Sequence, residues 1–97
     1  MAGRGRLRFR YIAFRIESER QLTEQNMIDV LTSAFSGRPP RLVVFRGNRG
    51  IVRCLNTTKD ETIRALNAFE STGERRIVIK TIGTSGTIRK AREKFLS

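Results

Sequence analysis

The segment RLVVFRGNRGIVRCL, residues 41–55, decides the fold of this 97-residue chain. Its two runs of branched and aromatic side chains, 41–46 and 50–55, flank the sequence GNRG at 47–50. Glycine and asparagine between two apolar runs are typical of the turn in a β-hairpin. The segment therefore predicts two adjacent antiparallel strands in the middle of the chain.

Upstream of the hairpin the sequence predicts a strand and then a helix. Residues 9–16, FRYIAFRI, are rich in aromatic and branched side chains, which favour a strand. Thr23 predicts a helix N-cap, because apolar side chains recur at helical spacing from Met27 to Phe35. Gly37 and the two prolines that follow it end this helix before the hairpin begins.

Downstream of the hairpin the sequence predicts a helix and then a strand. Thr58 and Glu61 predict a capping box at the start of a helix, whose apolar stripe runs from Ile63 to Phe69. Residues 76–82, RIVIKTI, predict a fourth strand. The helices on either side of the hairpin are therefore placed to cover one face of a four-stranded sheet.

The end of the chain adds a third helix to this pattern. Residues 83–87, GTSGT, predict a turn, and the apolar residues Ile88, Ala91 and Phe95 predict a short, very basic helix. The order β-α-β-β-α-β, then α, predicts an α+β fold, a ferredoxin-like or RNA-recognition-motif-like βαββαβ sandwich with an extra C-terminal helix. The length fits a single domain, 1–97, with residues 1–7 as a flexible basic arm.

Composition excludes several classes of protein. The chain has no histidine and one cysteine, Cys54, which excludes disulfide scaffolds, zinc sites and histidine-based catalysis. Cys54 is expected to serve as a small buried hydrophobe. Apolar runs such as Leu42 to Phe45 are far shorter than the roughly 20 residues of a membrane span. We therefore expect a cytoplasmic protein with no membrane partner and no secretory signal.

The charge predicts a nucleic-acid partner. Lysine and arginine total 20 against 9 acidic residues, a net charge of +11, and the basic side chains are mostly arginine. Arginine binds phosphate bidentately and stacks on bases. Residues 1–16 and 36–56 carry five arginines each and no acid, whereas the stretches that hold the first two helices carry most of the acids. This segregation is typical of an RNA-binding surface.

Three basic groups are candidate RNA contacts: the N-terminal arm, the hairpin and the start of the third helix. The candidate RNA-binding residues are Arg8, Arg10, Arg46, Arg49, Arg53, Ser85, Gly86, Thr87, Arg89, Lys90 and Arg92. Free amides at a helix N-terminus bind anions, and the basic side chains add charge there. The structural alternatives are a solvated arm, arginines that protect a sheet edge, and hydroxyls that only cap the third helix. We identify no catalytic residue and no metal ligand.

The outward face of the predicted sheet is mostly aliphatic. Tyr11 is its only aromatic residue, so the base-stacking aromatics of an RNA-recognition motif are missing. Such a patch is usually covered, here either by the third helix or by another protein. The candidate protein-interface residues are Leu42, Val44, Ile51, Leu55, Val78 and Ile82.

Three segments together resemble a known family. RYIAFRIE (10–17), GIVRC (50–54) and above all GTSGTIRKAREK (83–94), separated by two amphipathic helices, are similar to the Pop-five family of ribonuclease P proteins. The resemblance covers nearly the whole chain, from about Arg8 to Leu96.

The resemblance implies a protein subunit of ribonuclease P, which removes the 5′ leader of precursor tRNA. Catalysis would belong to the ribonuclease P RNA and its Mg²⁺ ions, with no cofactor bound by the protein. The implied partners are that RNA, precursor tRNA in the holoenzyme and ribonuclease P protein component 3, and a homodimer stays open.

Two alternatives from other classes remain at this point. A small basic ribosomal-type RNA-binding protein would share the size, the charge and the fold. A small acylphosphatase-like enzyme shares the βαββαβ order and would need an arginine and an asparagine converging on a phosphate. Asn48 and Arg49 are adjacent in the predicted turn, which is weak support for that enzyme.

Overall fold

A computed structural model describes residues 8–35, 37–71 and 76–96, with the backbone alone at Ser71. The elements are β1 (Phe9–Ser18), α1 (Glu24–Ala34), β2 (Arg41–Arg46), β3 (Arg49–Leu55), a 3-10 turn (Asn56–Thr58), α2 (Lys59–Ala68), β4 (Glu70–Ser71), β5 (Ile77–Ser85) and α3 (Ile88–Phe95). The predicted α+β sandwich with a C-terminal helix is confirmed, with the two-residue strand β4 as an addition. The predicted arm, residues 1–7, lies outside the described residues. No helix in the described part of the chain has the length and apolar character needed to cross a membrane.

β1 is the central strand of one antiparallel sheet with the order β2-β3-β1-β5-β4. It pairs with β3 on one side, where Ile12 lies opposite Val52, and with β5 on the other, where Ile16 lies opposite Ile79. The predicted hairpin forms the β2–β3 edge, with Gly47 and Asn48 as its turn. Gly47 has a φ of 61°, and no other described residue has a positive φ. A type I′ turn needs positive φ at both central residues and therefore does not form here.

The main core lies between the sheet and the helices α1 and α2. It contains Ile12, Phe14, Ile16, Leu22, Met27, Val30, Leu31, Val52, Cys54, Leu66, Ile77 and Ile79. The Phe14 and Phe45 rings stack with their centroids 6.4 Å apart. A Cβ on Gly50 would lie 2.5 Å from the Phe14 ring, so Gly50 is required by this packing rather than by the turn.

The Cys54 thiol belongs to this core, which confirms the expectation of a small buried hydrophobe. Burial raises the pKa of the thiol, against smaller lowering effects from hydrogen bonds with Thr62 and Thr58 and from the Lys59 charge. A thiol with a raised pKa stays protonated at neutral pH and is a poor nucleophile. Cys54 therefore serves packing rather than chemistry.

The opposite face of the sheet is covered by α3. Ala13, Ile51 and Ala91 form a second buried cluster with no exposed surface, and Val44 and Phe95 are among the half-buried side chains packed against it. An eight-residue helix is unstable alone in water, so this packing holds α3 in place. Of the two ways to cover the aliphatic face, the structure shows the third helix.

β5 is longer than the sequence predicts, because it continues to Ser85. Gly83 lies opposite Ala13, and Ser85 lies opposite Tyr11, beyond a bulge in the β1–β5 pairing. The first residues of β1 need partners for their backbone N–H and C=O groups, and only an extended β5 supplies them on this side. The prediction of a turn over 83–87 is therefore wrong for Gly83 to Ser85, and only Gly86 and Thr87 separate β5 from α3.

The helix caps match the sequence at two of three places. Thr23 and Asn26 form a reciprocal capping box on α1, and the Thr87 hydroxyl accepts a hydrogen bond from the Lys90 N–H. Thr58 occupies the N-cap position of α2 but makes no side-chain cap hydrogen bond, since its hydroxyl donates to the Leu55 carbonyl oxygen at 3.2 Å. The intervening 3-10 turn takes Thr58 out of the extended backbone that an N-cap adopts, so the predicted capping box with Glu61 is wrong.

Gly83 is the glycine on which the position of α3 depends. A Cβ at Gly83 would lie 2.4 Å from the Phe95 ring, whereas a Cβ at Gly86 would meet only the end of the flexible Arg10 side chain. We expect Gly83→Ala to lower the free energy of unfolding by about 1–3 kcal/mol, as overpacking does, and Gly86→Ala to change it by less than about 0.5 kcal/mol. Urea denaturation of the two variants measures this. Equal stability would mean that Phe95 does not pack on Gly83.

Candidate nucleic-acid interface

The start of α3 lies at one end of the sheet. The Thr87 hydroxyl accepts from the Lys90 N–H at 3.2 Å, and the Ser85 hydroxyl accepts from the Thr87 N–H at 3.4 Å. Both hydroxyls therefore serve the backbone, as the structural alternative predicts. The N–H groups of Ile88 and Arg89 have no acceptor within the helix, because they precede its first turn of hydrogen bonds. This end of α3 is thus positive through both its dipole and its side chains.

Arg10 lies beside this helix start. Its Nη1 atom would be 2.9 Å from a Cβ at Gly86, and its Nε donates to Asn56 Oδ1 at 2.8 Å. The Asn56 N–H in turn donates to the Arg8 carbonyl oxygen at 2.8 Å. Asn56 therefore fixes the beginning of β1 and the Arg10 side chain together. Sequence reasoning missed Asn56, since nothing around it forms a motif.

Arg53 lies at the same end of the sheet. Its guanidinium carbon is 4.3 Å from the centroid of the Phe9 ring, which is a cation–π contact. Arg53 pairs with Tyr11 in β1 and with Arg41 in β2. The structure thus brings Arg8, Arg10, Arg53 and the start of α3 to one end of the sheet, which we call the Ser85 end.

Arg46 and Arg49 lie at the opposite end. Arg49 pairs with Arg15 near the far end of the β1–β3 ladder, about 16 Å along β1 from Arg10 at roughly 3.3 Å a residue. The Arg49 Nη1 atom donates to the Phe95 carbonyl oxygen at 3.2 Å. A cation at this position stabilises the C-terminus of α3 through the helix dipole. Arg46 is exposed and lies directly opposite Arg49. The eleven candidate RNA-binding residues therefore divide between two ends of the sheet, joined by α3.

The basic side chains of α3 line the surface between these ends. Ile88, Ala91 and Phe95 pack on the sheet, which leaves Arg89, Lys90 and Arg92 exposed. Arg89 Nε is 3.6 Å from Glu93 Oε2, an exposed pair of small energetic value.

The described ion pairs are concentrated away from the hairpin. Glu17 on β1 pairs with both Arg15 and Lys80. Glu70 on β4 pairs with Arg76, which directly precedes β5. No arginine of the hairpin lies within 4.0 Å of a carboxylate oxygen among the residues that the structure describes. The positive charge of the β2–β3 side is therefore not neutralised within the described part of the fold.

The family of this chain follows from comparison with known proteins. The profile of the Rpp14/Pop5 family matches residues 39–96. The chain belongs to this family. Similar relatives include ribonuclease P protein component 2 of Archaeoglobus fulgidus, 36% identical over 94% of this chain and 91% of the relative. The corresponding proteins of Methanosarcina acetivorans (32%, over 94% of this chain and 76% of the relative) and Methanocaldococcus jannaschii (33%, over 90% and 72%) are also similar.

The match confirms the family that the sequence motifs indicate. Within this Rpp14/Pop5 family member, the matched region runs from the hairpin through α2 and β5 to the end of α3. It contains every candidate RNA-binding residue except Arg8 and Arg10. RNA contact by these residues stays a prediction. Among the described residues, no group of three or more His, Cys, Asp or Glu side chains is placed to hold a metal ion.

The predicted protein-interface residues do not form one exposed patch. Ile51 is fully buried under α3, and Val44 packs against the same cluster, so the prediction of Ile51 as a surface residue is wrong. Leu42 packs on the main core instead of facing outward, because a bulge between Leu42 and Val44 shifts the register of β2. Val78 is half-buried, and Ile82 is the exposed one of the two, at 40%.

Leu55 lies elsewhere, in a groove beside the hairpin. Of the six predicted interface residues, only Val78 and Ile82, both on β5, are thus neither packed in a core cluster nor part of that groove. Any partner of the sheet face meets a smaller apolar surface than the sequence predicts.

Ile51 and Ile82 provide a matched test of this arrangement. We expect Ile51→Asp to unfold the domain, because a buried unpaired carboxylate costs about 4 kcal/mol or more. Ile82→Asp, at an exposed position, should change the free energy of unfolding by less than about 1 kcal/mol. Circular dichroism during urea denaturation distinguishes the two. A folded Ile51→Asp variant would show that α3 does not cover this face.

Proposed function

We propose that this chain is a protein subunit of ribonuclease P that binds the catalytic RNA and supports it in removing the 5′ leader of precursor tRNA. In this proposal the RNA and its Mg²⁺ ions perform the cleavage, and the protein contributes no catalytic residue and no cofactor. The relatives' name, ribonuclease P protein component 2, supports this role.

The observation that carries the RNA-binding part is the Ser85 end. Arg10 lies there beside Gly86, directly before the start of α3, and Arg53 lies on β3 at the same end of the sheet. The positive groups then continue along α3 through Lys90 and Arg92. They extend over an arc too wide for one small anion and suited to successive phosphates of an RNA backbone.

The partners in this proposal are ribonuclease P RNA, precursor tRNA in the holoenzyme and ribonuclease P protein component 3, in the cytoplasm. On β5, the exposed Ile82 and the half-buried Val78 are available for a protein contact. Self-association of the chain would compete for the same apolar surface.

Identifying the bound RNA tests the proposal directly. The tagged full-length chain is purified from cells, and the RNA that accompanies it is sequenced. We expect ribonuclease P RNA to be enriched over ribosomal RNA. Enrichment of ribosomal RNA instead would favour the alternative of a small basic ribosomal-type protein and would overturn the proposal.

Reconstitution tests the division of labour. The chain alone is expected to cleave no precursor tRNA at any Mg²⁺ concentration, and to raise the cleavage rate of the RNA when component 3 is present. Cleavage by the protein alone that disappears on mutating a single carboxylate would contradict the proposal.

The α3 surface gives a quantitative prediction. The triple variant Arg89→Ala, Lys90→Ala and Arg92→Ala should bind ribonuclease P RNA more weakly while staying folded, because these side chains are exposed. The slope of log K against log salt should fall by about 0.7–0.9 for each RNA phosphate that the variant no longer neutralises. Fluorescence anisotropy at several salt concentrations measures both quantities.

The matched control removes the same charge elsewhere. Arg20, Arg64 and Arg76 are exposed and lie outside the proposed interface, so their triple alanine variant should keep most of the slope. Equal decreases of the slope in the two variants would mean that net charge alone, and not the α3 surface, accounts for binding.

A further inference from the structure

A groove of about 680 Å³ lies between the end of α1, the start of α2 and the β2–β3 edge. Its apolar lining includes Phe9, Phe35, Pro39, Pro40 and Leu55. This volume is within the range of sites that hold small organic ligands and exceeds what a single inorganic ion needs. Of the candidate RNA contacts described above, Arg53 alone lines this groove.

Three arginines, Arg38, Arg41 and Arg53, also line the groove. Arg41 lies directly opposite Arg53 across the β2–β3 pair. Like charges at directly opposite positions destabilise a sheet. Neither side chain has a carboxylate oxygen within 4.0 Å among the described residues. An anion between the two guanidinium groups would convert this repulsion into attraction.

An aromatic surface adjoins this anion position. The Arg53 guanidinium already lies over the Phe9 ring at 4.3 Å, and both residues line the groove. Nucleobases stack on aromatic rings and on guanidinium planes, and single-stranded RNA is recognised in this way. Glu61, on the α2 side of the groove, supplies a carboxylate that can accept hydrogen bonds from an exocyclic amino group.

We propose that this groove binds one unpaired nucleotide of RNA. A phosphate lies between Arg41 and Arg53, and the base enters the apolar part beside Phe9 and Leu55. The favoured bases carry an amino group that faces Glu61. This inference rests on the proposed function, because it takes the RNA partner as given and assigns a base-binding position to it.

Charge argues against the nearest alternative occupant. Residues 1–7 precede Arg8 and β1 in the chain and contain two arginines and no carboxylate, so they do not complement an arginine-lined groove. An acidic peptide segment of a protein partner would complement it, and the experiment includes that outcome.

NMR of the full 97-residue chain tests occupancy of the groove. Adenosine 5′-monophosphate is titrated into the protein, and ribose 5-phosphate, which carries the same phosphate without a base, is titrated into a second sample. We expect adenosine 5′-monophosphate to shift the Leu55 and Ala65 methyl signals, which lie in the groove, through the ring current of the base. Equal shifts with ribose 5-phosphate would mean that the groove binds the phosphate and not the base, which would overturn the proposal. So would shifts caused by a Glu-rich peptide and not by the nucleotide.

A second measurement uses RNA. Wild-type chain should bind a short adenosine-rich single strand at least about fivefold more tightly than its abasic analogue, the lower end of single-base stacking effects. In Phe9→Leu the ratio of the two affinities should fall towards one. Phe69→Leu, a half-buried phenylalanine of the main core that does not line the groove, is the matched control and should keep the wild-type ratio.

The outcomes separate this inference from the proposed function. If the chain binds both strands equally and Phe9→Leu changes nothing, RNA binding stands and the groove assignment is wrong. If the chain binds neither strand nor ribonuclease P RNA, the proposed function itself is wrong, and the groove assignment with it.

Discussion

The docking of α3 on the outer face of the sheet is the interaction on which the proposed site depends. Eight residues are too few for a stable isolated helix, so α3 exists because Ala91 meets Ala13 and Ile51, and because the Phe95 ring packs on Gly83. The same packing turns Lys90 and Arg92 outward. Without it, the Ser85 end would keep Arg10 but lose the helix N-terminus beside it. Stability and electrostatics are therefore coupled through one small apolar contact.

The two faces of the sheet differ in charge. On one face, α1 carries Glu24 and Asp29 and no basic residue, and α2 carries two carboxylates and two basic side chains. On the other side, the hairpin arginines and α3 carry a positive charge that no described carboxylate neutralises at the hairpin. A net charge of +11 disfavours the compact state through self-repulsion. An anionic partner on the positive side removes that cost, which is why RNA binding and folding are expected to support each other.

Local signals in the sequence predict the elements, and nonlocal packing decides the rest. The hairpin, the order of the elements and the caps at Thr23 and Thr87 follow from patterns within a few residues. The extension of β5 to Ser85 does not, because it depends on the needs of β1, which lies some seventy residues earlier in the chain. The bulge at Leu42 likewise leaves no mark in the continuous apolar run from Leu42 to Phe45.

The glycines show the same division. Gly47 has the positive φ of a turn residue. Positions 50 and 83 require glycine for another reason, because the Phe14 and Phe95 rings leave no room for a side chain. A sequence shows a glycine but not the ring that packs on it. The basic composition is therefore visible in the sequence itself. The structure was needed to show that the candidate residues divide between two ends of the sheet and that a groove lies beside Phe9.

Hydrogen exchange of the chain with and without ribonuclease P RNA tests the central claim, that the α3 side of the sheet holds the RNA. Mass spectrometry of the exchanged amides locates any protection along the sequence. The account predicts slower exchange over residues 86–90, at the junction of β5 and α3, and unchanged exchange over residues 24–33 of α1, which border neither that junction nor the groove. Protection of residues 24–33 with unchanged exchange at 86–90 would place the RNA on the acidic helix α1 and would contradict the account.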